Sequence, residues 1–225
     1  MKLQLRIQEI QKRIEDAAVR SGRKSSDVTL LAVTKTFSVE QIQEAYDLGL
    51  RQFGENRVQE ALGKIERLPR DIQWHLIGQL QTNKVNKVLE RFNLIHSVDS
   101  IKLAQALSAR LEKDQDILLE VNTSGEPTKA GFSSSEILDF VSSIDGLPHL
   151  KIRGLMTIGP LTDFPEKRRE AFKRLRELFL KVKNKIETEK DFSVLSMGMS
   201  GDFEVAIEEG ATIVRIGKAL FGERY

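Results

Sequence analysis

The chain has 225 residues, 40% hydrophobic and 30% charged, with 15 Gly and 5 Pro. That composition is globular and excludes a disordered or collagen-like chain. Lys and Arg (35) nearly balance Asp and Glu (33), so the net charge of +2 points to no polyanionic partner. The absence of cysteine excludes disulfides, thiolate nucleophiles and Cys-based zinc sites, and three scattered histidines (His75, His96, His149) argue against a histidine metal cage.

Taken in chain order, Leu3, Ile7, Ile10, Ile14 and Ala17 recur at helical spacing and predict an N-terminal helix. Eight short β-branched or aliphatic runs follow: 28–33, 51–54, 73–77, 94–98, 116–121, 152–158, 193–197 and 212–216. Several are apolar at consecutive positions, as buried parallel strands are when both faces are covered. Helical stretches separate them. Ser38 precedes a stripe of Ile42, Ala45 and Leu48, and Asn56 precedes Val58, Ala61, Leu62 and Ile65. Ser100 precedes Leu103, Ala106, Leu107 and Leu111; Ser133 to Ser135 lead into Ile137, Leu138 and Val141; Asp202 precedes Val205, Ala206 and Ile207.

Strand followed by helix, repeated, implies parallel strands joined by right-handed crossovers. The first four strand-to-strand spacings, about 21 to 23 residues, are near the minimum for a strand, a helix and two turns. Eight such units predict an α/β fold, a single (β/α)8 TIM-type barrel with an extra N-terminal helix, in one domain over residues 1–225. An open doubly wound sheet is the competing architecture. Little sequence follows the eighth run, so its outer helix is expected to be missing or very short, with the N-terminal helix covering the gap. No apolar run approaches the roughly 18 residues of a membrane span. Met1 to Arg6 lacks a signal-peptide hydrophobic region, so a cytoplasmic protein is expected.

In such barrels chemistry sits at the C-terminal strand ends. There the chain places Thr34-Lys35-Thr36, Gly54-Glu55-Asn56-Arg57, His75 with Gly78-Gln79, His96-Ser97, Asn122-Thr123-Ser124, Ser196 to Gly201 and Arg215-Ile216-Gly217. Lys35 follows the apolar run Leu30 to Val33 with only Thr34 between. Burial would favour the free amine, which can form a Schiff base with an aldehyde; a lysine that snorkels to solvent is the alternative. Ser200-Gly201 before the helix near Asp202 is suited to an anion, or Ser200 or Asp202 simply caps that helix. Gly217 would let backbone approach a phosphate. Arg215 ends a buried strand, either facing a ligand or held in an internal ion pair. A Schiff-base lysine with a phosphate clamp and an arginine suggests pyridoxal 5′-phosphate.

With these residues placed, the chain resembles the pyridoxal phosphate homeostasis proteins, single-domain relatives of the alanine racemase N-terminal barrel. The motifs are Ala32 to Thr36, Phe53 to Glu60, Trp74 to Lys84, Arg153 to Met156, Leu195 to Ser200 and Arg215 to Gly217, which span nearly the whole chain. The resemblance implies a cofactor held as an internal aldimine on Lys35, with Ser200 and the backbone around Gly217 and Lys218 on the phosphate. It also implies Arg215 facing the pyridine nitrogen, where arginine makes a weaker electron sink, and Asn56 close to the ring. Family members are regarded as binding, storing or delivering the cofactor, with no established turnover. Three positions depart from the family pattern: Arg57 stands where tyrosine is frequent, Phe37 where a second lysine is common, and Lys218 where a small hydroxyl residue is usual. Phe37 removes a possible docking point for incoming cofactor, and Lys218 leaves a backbone rather than a hydroxyl contact to the phosphate.

The alternative is a racemase or decarboxylase of the same fold type, which needs a general acid/base on the cofactor face opposite the lysine. The related racemases draw a tyrosine from an additional C-terminal domain. Here the tyrosines are Tyr46, inside a crossover helix, and Tyr225, the last residue, so a carrier without turnover is the favoured reading. An aldolase-like barrel would use Lys35 but leaves Arg215 unexplained. The stretch 166–190 carries ten Lys/Arg against five Glu. Its stripe of Phe172, Leu175, Leu178, Phe179, Val182 and Ile186 marks an outer barrel helix with a solvated basic face rather than a nucleic-acid site. Pyridoxal phosphate is the expected partner, with pyridoxal phosphate-dependent apoenzymes as possible recipients, no nucleic acid, no membrane, and a monomeric chain. Trp74 is assigned to core packing, Met197 and Met199 to the pocket floor, His75 and His96 to core or supporting hydrogen bonds, and Lys129 to solvent or the pocket mouth.

Overall fold

The computed structural model describes residues 2–124, 126, 130–143, 147–160, 162–185 and 191–222. Eight parallel strands alternate with helices: β1 (Thr29–Val33), β2 (Gln52–Glu55), β3 (Gln73–Leu76), β4 (Leu94–Val98), β5 (Gln115–Glu120), β6 (Leu150–Met156), β7 (Val194–Met199) and β8 (Ile213–Ile216). They close into a barrel in sequential order. Closure is made by β8 against β1, with Thr29 to Ala32 running alongside Ile213 to Ile216. The open doubly wound sheet is thereby overturned, because β1 has a parallel neighbour on each side.

The helices are α1 (Lys2–Arg20), α2 (Val39–Asp47), α3 (Val58–Ile65), α4 (Val85–Val88), α5 (Ile101–Ser108), α6 (Ser134–Ser143), α7 (Pro165–Lys185), α8 (Phe203–Glu208) and α9 (Lys218–Phe221). The expected stripe of α1 is buried and packs against α8 and α9, with Arg13 bonded to Glu204 and Arg20 to Glu208. This helix therefore covers the flank that the four-residue α9 leaves bare. Ser38 and Ser100 cap α2 and α5, accepting from the backbone N–H of Gln41 and Leu103. Asp202 does not cap α8; its carboxylate accepts from the Met199 N–H at 2.6 Å and ties the β7 loop. The buried stripe of α7 matches the expected one through Val182, while Ile186, Lys129 and Tyr225 lie outside the described residues. Among the described residues no helix is long and apolar enough to cross a membrane.

Two hydrophobic clusters divide the core. The larger lies between sheet and helices and holds Phe53, Trp74, Ile95, Ile117, Leu195 and Met197. The smaller comprises Leu31, Leu94, Leu118, Met156 and Ile213, which fill the barrel interior. Side chains alternate along a strand, so residues two positions beyond this layer also face inward, nearer the C-terminal end. His96, Glu120 and Arg215 occupy that level, and all are buried.

Candidate functional site

The floor of the C-terminal end is polar. Arg215 is 5% exposed and donates from Nη1 to Ser196 Oγ at 2.7 Å and from Nη2 to the Thr157 carbonyl at 2.8 Å. Ser196 Oγ lies 2.9 Å from His96 Nδ1, and His96 Nε2 lies 2.9 Å from His75 Nδ1. Thr157 Oγ1 donates to the Val121 carbonyl at 2.8 Å. One hydrogen-bonded chain thus crosses from β3 to β4 to β7 to β8. Both hydrogen bonds of Arg215 go to neutral groups, so the internal ion pair considered for it is replaced by a polar floor. Its buried charge is solvated by two oriented acceptors.

Burial sets the protonation of this layer. The Arg215 guanidinium is pulled down to about 10 by burial, opposed by the charges of Glu120 and Asp202, and so remains cationic at neutral pH. Burial lowers His75 to about 4. His96 falls well below its ordinary value through burial, then through His75 and Arg215. Both imidazoles are therefore neutral and act as hydrogen-bond relays. Glu120 is pushed up to about 7 by burial and by Asp99, against the pull of Arg215.

Above the floor stand the expected ligand-binding residues. Lys35 is half-buried in the turn directly after β1. Val33 is aligned with Gly54 of β2, so the turn carrying Lys35 and the loop carrying Asn56 leave adjacent strand ends on one side. Ala32 is aligned with Ile216 of β8, which brings Gly217 beside Val33 on the other. A Cβ at Gly217 would lie 3.3 Å from the Val33 carbonyl oxygen, tighter than an ordinary contact, so glycine keeps this approach open. Ser200 Oγ accepts from the Ala219 N–H at 3.3 Å, linking the β7 loop to the start of α9. Ser200 thus serves α9 and not the start of α8. Asn56 Oδ1 is buried and has no hydrogen-bond partner among the described residues, an acceptor suited to a donor on a ligand. Lys218 is exposed at the first position of α9.

Lys35, Asn56, Arg215 and Gly217 are thus carried on three adjacent strand ends, and Ser200 joins them through Ala219. Departures from the family pattern also find places. Phe37 is buried, its ring 4.7 Å from that of Phe221, so it fills space between the β1 turn and α9. Arg57 is exposed at the cap position of α3. Met197 is not in the floor: the alternation that turns Ser196 inward turns Met197 into the sheet–helix core. Met199 lines a rim groove of about 490 Å³ with Ile158, Gly159, Gly201 and Asp202. A cleft of about 910 Å³ lies at the opposite end of the barrel against Ile72, Trp74, Phe92 and Gln115, away from Lys35. Ser196, Thr157 and Glu120 carry the floor, yet sequence reasoning named Ser196 only among the rim residues and gave Thr157 and Glu120 no role. The available signal was strand parity with Arg215 and His96.

A barrel with its polar groups at this rim belongs structurally with the alanine racemase type. The alanine racemase N-terminal domain model matches residues 6–225. The alanine racemase of Corynebacterium glutamicum shares the fold at a TM-score of 0.71 with 16% identity, over 96% of this chain and 61% of that one. Closer in sequence is the pyridoxal phosphate homeostasis protein of Aquifex aeolicus, 46% identical over 227 residues and 97% of each chain. PipY of Synechococcus elongatus PCC7942, solved with pyridoxal phosphate bound, is 38% identical with a TM-score of 0.81, over 95% of this chain and all of that one. The chain belongs to the pyridoxal phosphate homeostasis protein family.

Proposed function

We propose that this protein binds pyridoxal 5′-phosphate at the C-terminal rim and takes part in cellular cofactor homeostasis as a carrier. In this reading the Lys35 amine condenses with the cofactor aldehyde, forming a C=N bond and releasing one water. Ser200 and the backbone of Gly217 and Lys218 hold the phosphate, Arg215 faces the pyridine nitrogen, and Asn56 Oδ1 meets a polar group of the ring. Bound cofactor would supply electrophilic stabilisation of carbanions, but a positively charged Arg215 does not protonate the ring nitrogen and leaves that capacity weak. The observation that carries the reading is the juxtaposition of the Lys35 turn, the unpartnered Asn56 oxygen and the Gly217 approach on adjacent strand ends. The relatives' names and the liganded PipY structure support it.

Carriage without turnover is favoured by where the acid–base groups lie. Tyr46 donates its hydroxyl to Asp71 at 2.7 Å, near the N-terminal end of β3 and far along the barrel from Lys35. His75 and His96 are neutral and engaged in the floor. The chain acts as a single folded unit and as a monomer, releasing cofactor to dependent apoenzymes. The test is an absorption spectrum of the purified protein with added cofactor, before and after borohydride, for wild type and Lys35→Ala. A visible band that borohydride abolishes, and that Lys35→Ala lacks, is expected. Turnover of L-amino acids above the rate of free cofactor would overturn carriage.

A further inference from the structure

The motif from Phe53 to Glu60 contributes Asn56 to the rim, but two of its carboxylates remain unexplained by ligand binding. Glu55 is fully buried on the outer side of β2, and Glu60 lies on the first turn of α3. Between them sits Lys64, 6% exposed, a burial that lysine rarely accepts without partners. Its ammonium uses three donors: Thr34 O at 2.8 Å, Glu55 Oε1 at 2.8 Å and Glu60 Oε1 at 2.6 Å. Thr34 Oγ1 donates to Glu55 Oε1 at 2.6 Å, and the Thr36 N–H donates to Glu60 Oε1 at 2.5 Å. The Thr34 carbonyl also accepts from the Phe37 N–H at 3.0 Å, closing the turn. Both neighbours of Lys35 in the chain are therefore fastened to one buried ion cluster.

We propose that Lys64, with Glu55 and Glu60, is a positioning device that fixes the turn presenting the Lys35 amine. Two features distinguish this from ordinary stabilisation. Thr36 holds a backbone φ of +70°, a conformation that a β-branched residue adopts only when its surroundings impose it, and the Glu60 contact is on its own N–H. The cluster is also poorly built for stability. Glu55 Oε2 is buried with no hydrogen-bond partner among the described residues, and burial raises the Glu55 carboxyl against the opposing bonds from Lys64 and Thr34. Buried pairs of this kind seldom repay their desolvation, so their conformational role is the stronger explanation. Without the cluster, the turn relaxes toward negative φ at Thr36 and the lysine leaves its place between the β2 and β8 strand ends.

This inference rests on the assignment of Lys35 as the cofactor's attachment point, and its test separates the two. The variants are Lys64→Met and Glu60→Gln in the full chain, each checked for folding by circular dichroism. One readout is the rate of the borohydride-reducible band on adding pyridoxal phosphate. The other is the pH profile of Lys35 acylation by a small anhydride, read by peptide mass against exposed Lys12 and Lys113, which needs no cofactor. Lys64→Met is expected to slow band formation about tenfold or more and shift the Lys35 profile, with Glu60→Gln moving both in the same direction by less. Because the chain lacks cysteine, Lys64→Cys can be alkylated with bromoethylamine under denaturant and refolded to restore an amine of lysine length. Recovery of the rate is expected. A folded Lys64→Met with wild-type rate and wild-type Lys35 profile overturns the proposal. If Lys64→Met does not fold, a wild-type result for Glu60→Gln overturns it. A reducible adduct that persists in Lys35→Ala would instead defeat the assignment of Lys35, and the acylation profile still decides the positioning role.

Discussion

Arg215 Nη1 donates to Ser196 Oγ at 2.7 Å, and that bond sets the polarity of the whole barrel floor. An arginine can only donate, so the Ser196 hydrogen finds its acceptor in His96 Nδ1. His96 is then the Nε2–H tautomer and donates to His75 Nδ1. Ser196→Ala leaves a buried donor on Arg215 and a buried acceptor on His96, at a cost of about 2–4 kcal/mol in denaturant unfolding. Nitrogen-15 spectra of the wild type should show both imidazoles neutral with His96 protonated at Nε2. A His96 protonated at Nδ1 would contradict this polarity.

Glu120 gives the protein a base-side dependence. Its carboxyl titrates near 7 in the fold against an ordinary value of 4.5, so the protonated form is the one the fold accepts. Its contribution is fully present below about pH 4.5 and is lost as pH rises through 7, by on the order of 3 kcal/mol. Glu120→Gln mimics the protonated form. The variant should gain stability relative to wild type between pH 5 and pH 8, measured by urea unfolding at both. A pH-independent difference would remove Glu120 as the cause.

His75 acts on the acid side. Its folded value of about 4 lies below the ordinary 6.5, so its contribution is present above pH 6.5 and is lost as pH falls through 4. His96 shifts in the same direction. In His75→Asn the amide oxygen can replace Nδ1 as the acceptor from His96 while removing one titration. Its unfolding free energy should fall less steeply between pH 6.5 and 4.5 than that of the wild type. An equally steep acid limb would place the sensitivity elsewhere.

Gly198 is required by the packing of α8 on β7. Its φ is +92°, and a Cβ there would lie 2.5 Å from Ala206 Cβ and 2.9 Å from Phe203 Cα. Gly198→Ala therefore pays both backbone strain and overpacking, about 2–3 kcal/mol. Thermal unfolding should register it as a clear loss, and it should also weaken cofactor binding, since Ser200 follows two residues later. Unchanged melting would show that the α8 contact yields more easily than its geometry implies.

The barrel was legible because its strands are covered on both faces, and consecutive apolar positions such as Leu30 to Val33 therefore mark them directly. The position of Lys35 at the rim was legible for the same reason, as a lysine two residues beyond such a run. Short polar elements were not: α4 follows a 3₁₀ turn at Thr82–Lys84 and offers only Val85 and Val88 as buried anchors. The floor was hidden by distance along the chain, since His96 and Ser196 are 100 residues apart. Ser200 was correctly placed at the rim but attached to the wrong helix. Its partner, Ala219, becomes its neighbour only when β7 and β8 pair. The Lys64 cluster was similarly invisible, because a buried lysine on an otherwise amphipathic helix reads as one more solvated charge.

The central claim is that Lys35 is the residue to which pyridoxal phosphate becomes attached. Borohydride reduction of the protein mixed with the cofactor, followed by peptide mass analysis, tests it most directly. The predicted result is one stoichiometric adduct on the peptide containing Lys35, absent from Lys35→Ala. A stoichiometric adduct on any other lysine, or none on Lys35, would contradict the account.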